Sequence, residues 1–248
     1  MLCHIITIFP EYFAGILKIG ILRIAQEKKI LNVALINLRD FAMDSYRTVD
    51  DYPYGGGSGM IMKPEPIFQA VESVKREDSY VILTSPQGRR FEQNLAKELS
   101  QKEHLIFICG RYKGVDERVR EFLADEEISL GDFILAGGEA VCSVILEAVV
   151  RLIPGVVGDE ESVATDSFVS GILDAPYYTR PADYRGYRVP EILLSGDHQK
   201  IRVWRRKEAL RRTLLRRPDL LERAELTPED IKLLKEIEEE EKNRSRKC

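Results

Sequence analysis

The chain has 248 residues, 44% of them hydrophobic and 31% charged, with a net charge of −4. That length and balance suit a globular protein of one large domain plus a small one, and exclude fibrous or disordered classes. The longest apolar stretch, Ala140 to Val150, is broken by Glu147 and too short to span a bilayer, so no membrane segment is expected. The N-terminal MLCHIITIFPEYF has neither a basic n-region nor a small-residue cleavage site. Cys3, Cys109, Cys142 and Cys248 form no CxxC pair, and the three histidines are scattered. A cytoplasmic protein with reduced thiols is the expectation. The net charge hides an asymmetry: from Pro176 onward there are 19 Lys and Arg against 14 Asp and Glu, and before it 18 against 27. A globally acidic protein with such a basic end can still bind a polyanion.

In chain order, HIITIF (4–9) reads as a buried strand and Pro10 to Lys28 as a helix-like segment. NVALINL (32–38), YVILTS (80–85) and LIFICG (105–110) are further strands, while PIFQAVESV (66–74) and EQNLAKEL (92–99) have helical periodicity. This alternation predicts an α/β domain with a mainly parallel sheet. From Glu139 to Ile153, Val141, Ile145, Ala148, Val149 and Leu152 share one face of a predicted core helix. The pattern stops at IPGVVGDEES (153–162), which begins a predicted interdomain linker running to about Pro176. Beyond it the chain reads as helical, with a helix from about Lys200 to Arg217 ended by Pro218, and TPED (227–230) as a capped start. The tail KEIEEEEKNRSRKC reads as a solvated, fraying helix.

Three glycine-rich turns follow strands: SPQG (85–88), CGRYKGVDERV (109–119) and GDFILAGGE (131–139). Singly each is a structural turn; together they lie at one topological end of a parallel sheet, where ligands bind. None is GxGxxG or a Walker loop. Gly137-Gly138 before a helix would let a flat, weakly charged ligand lie against backbone. A fourth run, YPYGGGSGMIMKPEP (52–66), superficially resembles the phosphate loop of sugar nucleotidyltransferases, but some 50 residues precede it; it reads as a mobile loop over a substrate. In KIRVWRRKEALRRTLLRR (200–217), nine of 18 residues are Lys or Arg and one is acidic. On a helix Arg202, Arg205, Arg212 and Arg216 share one face, and Val203, Leu210 and Leu214 another. A solvated face usually mixes signs. This positive one, near Trp204 and Tyr177, Tyr178, Tyr184 and Tyr187, favours RNA, so a non-enzymatic RNA-binding module is the main rival to an enzyme. The linker carries Asp166 and Asp174 among small residues, with Arg151 before it.

RTVDDYPYGGGSGM, LTSPQGRRF, CGRYKGVDERV, GDFILAGGE, RLIPGV, ATDSF, LDAPYYTRP, VPEILLSGDH and LLRRPDLL follow one another along the chain. In that order they resemble the bacterial tRNA (guanine-N1)-methyltransferases of the knotted, SPOUT-type superfamily. One such string is weak; nine in order are specific. The resemblance implies a knotted α/β domain over 1–160 with a trefoil knot, a linker over 161–176 and a helical tRNA-binding domain over 177–248. It implies a homodimer with shared active sites, and methyl transfer from S-adenosylmethionine to N1 of guanosine 37, beside the anticodon. Its cofactor positions fall on Leu83, Ser85, Pro86, Gly88, Gly110, Leu130, Gly131, Asp132, Phe133, Ile134, Leu135, Gly137 and Gly138. Asp166 and Arg151 match the catalytic pair, and Asp50, Gly56, Gly59 and Asp174 join Arg202, Arg205 and Arg212 as expected tRNA contacts. Three positions depart from the family pattern: Lys113 replaces glutamate, Val141 follows GGEA where proline is usual, and Tyr177 stands where some relatives have histidine. Lys113 leaves a magnesium (Mg2+) requirement open.

Overall fold

The computed structural model describes residues 1–158 and 165–245. Two compact units divide at Gly158/Asp159. The first contains β1 (Leu2–Thr7), α1 (Gly20–Glu27), β2 (Asn32–Asn37), β3 (Asp50–Asp51), β4 (Ile61–Met62), α2 (Pro64–Glu72), β5 (Ser79–Arg90), α3 (Gln93–Ser100), β6 (His104–Cys109), α4 (Glu117–Phe122), β7 (Glu126–Ser129) and α5 (Glu139–Val150). Its main sheet runs β2-β1-β6-β5-β7 with every pairing parallel. β6, HLIFIC, is buried at all six positions, as a central strand covered on both faces must be. Leu105, Phe107 and Cys109 point into a core closed by α1, α3 and α5. Ile106 and Ile108, on the opposite face, join residues of α2 and α4.

Several elements differ from the sequence expectation. Pro10 to Lys28 is broken into two 3-10 turns, Pro10–Phe13 and Ile16–Lys18, before α1. Ile19 is extended and Gly20 left-handed at φ +55, which interrupts any continuous helix. β7, EEIS, was not visible as a strand because it opens with two glutamates; pairing with β5 makes it one. That pairing shifts register between Thr84 and Arg89, so SPQG bulges out of the ladder. The buried face of α5 is Cys142, Ile145, Leu146, Val149 and Val150, turned from the predicted stripe because α1, α3 and the sheet all pack on it. Cys3, Cys109 and Cys142 are free and buried. Burial pushes the Cys3 and Cys142 thiols up.

The second unit holds β8 (Asp183–Tyr184), β9 (Tyr187–Arg188), α6 (Glu191–Leu194), α7 (His198–Arg216), α8 (Pro218–Leu221) and α9 (Pro228–Ser245). The β8–β9 hairpin replaces the purely helical stretch expected there. Asp197 caps α7, accepting from Lys200 N at 3.1 Å. TPED forms a reciprocal capping box: Thr227 N donates to Asp230 Oδ2 at 2.9 Å, and Asp230 N donates to Thr227 Oγ1 at 3.2 Å. The tail expected to be solvated instead buries Ile237 against Ala209, Leu210 and Ile172. Linker positions 161–164 and the last three residues lie outside the described residues. Among the described residues no helix is long and apolar enough to cross a membrane.

One polar chain crosses the start of the sheet. Ser79 Oγ lies 2.7 Å from His104 Nδ1, and His104 Nε2 lies 2.7 Å from His4 Nδ1. Burial, then the Arg76 charge, lowers His4 below its ordinary 6.5; burial, then His4 and Arg76, lowers His104. The fold therefore favours the neutral form of both rings. Above about 6.5 the folded and unfolded chains bind equal protons here, and below it the unfolded chain takes up protons that the fold refuses. Stability should fall as pH drops through about 6.5, and a His104→Gln variant should show a shallower fall; calorimetry from pH 8 to 5 measures both.

Candidate active site

The Ser85–Gly88 bulge of β5 and the loops at the carboxyl ends of β6 and β7 surround one cavity of about 510 Å³. β5 contributes Leu83, Ser85 and Pro86; the turn after β6 contributes Gly110. The segment after β7 contributes Leu130, Gly131, Phe133, Ile134, Leu135, Gly137 and Gly138. Gly88 and Asp132 are outside the lining. Gly88 instead packs on the Glu127–Ile128 peptide of β7, where a Cβ would collide with backbone. Thr84, Arg111, Tyr112, Lys113, Glu117, Arg120 and Glu127 also line the cavity. Sequence reasoning did not assign them, although Arg111 to Lys113 lie inside the GRYKG string; Glu127 needed β7 to be recognised.

Backbone contacts fix these loops. Gly138 N donates to Gly110 O at 2.8 Å, and Gly110 N donates to Thr84 Oγ1 at 3.3 Å. A Cβ at Gly138 would collide with Thr84 Oγ1 and reach within 3.0 Å of Cys109 Cα. Its missing side chain therefore first serves the approach of α5 to the strand ends. Glu139, 1% exposed, accepts from Thr7 Oγ1 at 2.7 Å and from Arg111 Nε at 2.9 Å. Arg111 also donates to Ala136 O at 3.3 Å, with its guanidinium 4.6 Å from the Phe9 ring centroid. The wall mixes apolar side chains with charges: Arg120 pairs with Glu117 and lies 3.7 Å from Glu127.

The glycine run is the tip of the β3–β4 hairpin, not a loop after the first strand. Lys113 N donates to Met60 O at 3.0 Å, and Met62 N to Gly114 O at 3.0 Å, so the hairpin leans on the turn after β6. Gly59, at φ +94, has Lys113 so close that a Cβ would meet its side chain at 2.8 Å. Gly56 at φ +79 faces open space. Asp50 reaches Tyr112: burial, then the Asp50 charge, pushes the Tyr112 hydroxyl up. Arg151 is the half-buried C-cap of α5. No group of three or more His, Cys, Asp or Glu with metal-holding geometry occurs among the described residues.

In the second unit, Asp166 is half-buried and its carbonyl accepts from Val169 N at 3.2 Å. Asp174 and Arg205 meet through Tyr177. The Arg205 guanidinium lies 5.6 Å from the Tyr177 ring centroid, and burial, then a hydrogen bond with Asp174, pushes the Tyr177 hydroxyl up. Thr165, next to Asp166, also bonds to that hydroxyl.

A model of the tRNA (guanine-1)-methyltransferase family TrmD matches residues 1–223. The chain belongs to that family. The tRNA (guanine-N(1)-)-methyltransferase of Dictyoglomus turgidum is 60% identical over 236 residues, 95% of this chain and 96% of the relative. That of Carboxydothermus hydrogenoformans is 56% identical over 234 residues (94% and 92%), and that of Anoxybacillus flavithermus 51% over 245 (98% and 100%). Membership makes the chain a methyltransferase of tRNA processing and removes the non-enzymatic rival.

In this family member α7 is less uniformly positive than its sequence. Arg206 donates to Asp230 at 2.7 and 2.8 Å, and Asp230 is held down at about 2 by that bond. Lys207 bonds to Glu236 and Glu240, and Arg211 to Glu208, Glu240 and Glu241. Arg202, Arg212 and Arg216 have no ion-pair partner among the described residues, so a cationic face survives on one side of the helix. Val203, predicted apolar-side, is 50% exposed, because the core contact is made by Ala209, Leu210 and Leu214 further along.

Removing the buried Glu139 carboxylate leaves Arg111 and Thr7 without their shared acceptor. Glu139→Ala should cost about 3 kcal/mol of stability in urea unfolding. Gly138→Val should likewise lower the melting temperature, rather than blocking the cavity alone.

Proposed function

We propose that this methyltransferase moves the methyl group of S-adenosylmethionine to N1 of guanosine 37, just 3′ of the anticodon. The observation that carries the reading is the convergence of the β5 bulge and two strand-end loops on one cavity, lined by backbone and by apolar side chains such as Leu83, Ile134 and Leu135. Such a wall suits a flat, weakly charged adenosine; the volume is within the range of small-molecule sites. Glu117 and Glu127 offer carboxylates to a cationic sulfonium or ammonium.

S-adenosylmethionine supplies a methyl group already activated on a positive sulfur. Guanine N1 carries a proton and is a poor nucleophile until it loses it. Asp166 accepts that proton as general base. Arg151 faces the charge that gathers on O6 as the proton leaves. Bound in the cavity lined by Leu83, Ile134 and Leu135, the donor would present its methyl group to the deprotonated N1, and holding the two in line would supply much of the rate. Lys113 is no divalent-cation ligand, and no step is assigned to magnesium.

The same reading takes the first unit as the knotted cofactor domain and the second as the helical tRNA-binding domain. Domain limits are 1–160 and 177–248, with the linker between them. The assembly is a cytoplasmic homodimer with cofactor loops from one subunit and linker and helical domain from the other. On α7, Arg202, Arg205 and Arg212 meet tRNA phosphates, while Asp50, Gly56, Gly59 and Asp174 meet the substrate at the loops.

Methylation of unmodified tRNA transcripts, with mass mapping of the product base, tests the activity. Asp166→Asn should lower the single-turnover rate by about two to four orders of magnitude with little change in tRNA or cofactor affinity; near-normal turnover would remove Asp166 as base. The shared site has its own test. Leu135→Arg places a long cation in the cavity and should abolish cofactor binding. Mixing it with Asp166→Asn, with subunit exchange confirmed by mass spectrometry, should restore activity, because one site of the mixed dimer then carries neither lesion. A mixture that stays inactive would assign base and pocket to a single chain. Charge reversal of Arg205 and Arg212 should weaken tRNA binding and flatten its salt dependence, leaving cofactor affinity unchanged; titrations at several salt concentrations measure the slope.

A further inference from the structure

None of the tRNA contacts assigned by residue above lies on the β8–β9 ribbon, although its Tyr184 and Tyr187 stand near the basic helix in sequence. Its turn is Arg185-Gly186, both left-handed at φ +57 and +85, the two-residue loop whose twist matches that of a hairpin. Asp183 pairs with Arg188 and Tyr184 with Tyr187. Successive side chains alternate across a strand, so these two pairs occupy opposite faces. One face is closed upon itself: Arg188 Nε donates to Asp183 Oδ2 at 3.0 Å, and Gly186 N donates to Asp183 Oδ1 at 2.9 Å. The other presents Tyr184 and Tyr187, 58% and 80% exposed, with the Arg185 guanidinium 5.2 Å from the Tyr184 ring centroid.

A ribbon of two residue pairs is marginal by itself. Here the Asp183 bonds and Val189 N donating to Ala182 O at 2.9 Å close both ends. Directly opposed aromatic residues usually stabilise a hairpin by packing on each other. These two make no ring contact with one another among the described residues. Both rings are held out on a fixed turn, and among the described residues only the Arg185 guanidinium lies over one of them, that of Tyr184. From Arg180 to Arg188 the sequence carries three arginines against one carboxylate, Asp183, which Arg188 already bonds on the opposite face.

We propose that this ribbon is a stacking finger for unpaired nucleotides of the RNA substrate, with Tyr184 and Tyr187 receiving base faces and Arg185 meeting phosphate. The proposal rests on the tRNA reading above and adds a contact to it. Bases in a duplex hide their faces, whereas loop nucleotides splay them onto aromatic side chains. The cation beside the exposed rings, Arg185, suits a polyanion.

The test is fluorescence anisotropy with the full chain, using a labelled tRNA transcript and a blunt RNA duplex of similar length. Tyr184→Leu/Tyr187→Leu keeps the apolar bulk and removes the planar faces. It should weaken tRNA binding about five-fold or more, leave duplex binding unchanged and keep the salt slope, since no cation is lost. Tyr184→Phe/Tyr187→Phe should bind within about two-fold of the wild type. If the double leucine variant fails to fold, Tyr187→Leu alone, at the more exposed position, should show the same selective loss. Unaltered tRNA affinity in the leucine variants would overturn the proposal, as would an equal loss on the duplex. Changed sedimentation with unchanged tRNA affinity would overturn it too, and assign the tyrosines to contact between copies. A wild-type chain that neither binds nor methylates tRNA would sink the substrate reading itself. An active wild type with unaffected variants sinks only the ribbon.

Discussion

The buried carboxylate of Glu139 ties together three parts of the chain that are far apart in sequence. It sits in the first turn of α5, where a negative charge is favoured by the helix dipole. Its two oxygens accept from Thr7 at the end of β1 and from Arg111 after β6. Both partners are held in turn: Phe9 N donates to Thr7 Oγ1 at 3.0 Å, and the Phe9 ring lies under the Arg111 guanidinium. A buried charge is tolerable only with such saturation. The geometry of the cavity follows from it, because Arg111 crosses to Ala136 and fixes the turn after β6 against the segment after β7.

A second constraint is electrostatic and belongs to the other unit. On α9, Asp230 at its start pairs Arg206, and Glu236, Glu240 and Glu241 further along pair Lys207 and Arg211, while Ile237 packs on Ala209 and Leu210. The opposite side retains its arginines. These pairs are half-buried, and the desolvation each costs offsets much of its attraction. Their greater consequence is directional: they leave the cations on one side of the helix rather than around it.

Much of this was legible in the sequence because it depends on local pattern. Continuous apolar runs marked β1, β2, β5 and β6, and glycine-rich turns marked the β5 bulge and the loops that follow β6 and β7. The ordered strings from RTVDDYPYGGGSGM to LLRRPDLL carried the family, and with it the enzyme class. What was not legible depends on partners. β7 has too few apolar residues to announce itself and becomes a strand through pairing with β5. Gly88 read as a loop glycine, whereas its role is to let β5 lie against the β7 peptide.

The sequence by itself determined the α/β class, the parallel sheet and the methyltransferase family, since periodicity and motif order need no knowledge of distant contacts. Only the tertiary structure decided which loop residues line the cavity and which arginines of α7 are already paired. It also decided on which side of a two-pair ribbon the tyrosines stand. The physical reason is the same in each case. These properties arise from hydrogen bonds, ion pairs and close approaches between residues tens to more than a hundred positions apart. No local window contains both partners of Thr7 and Glu139, or of Arg206 and Asp230.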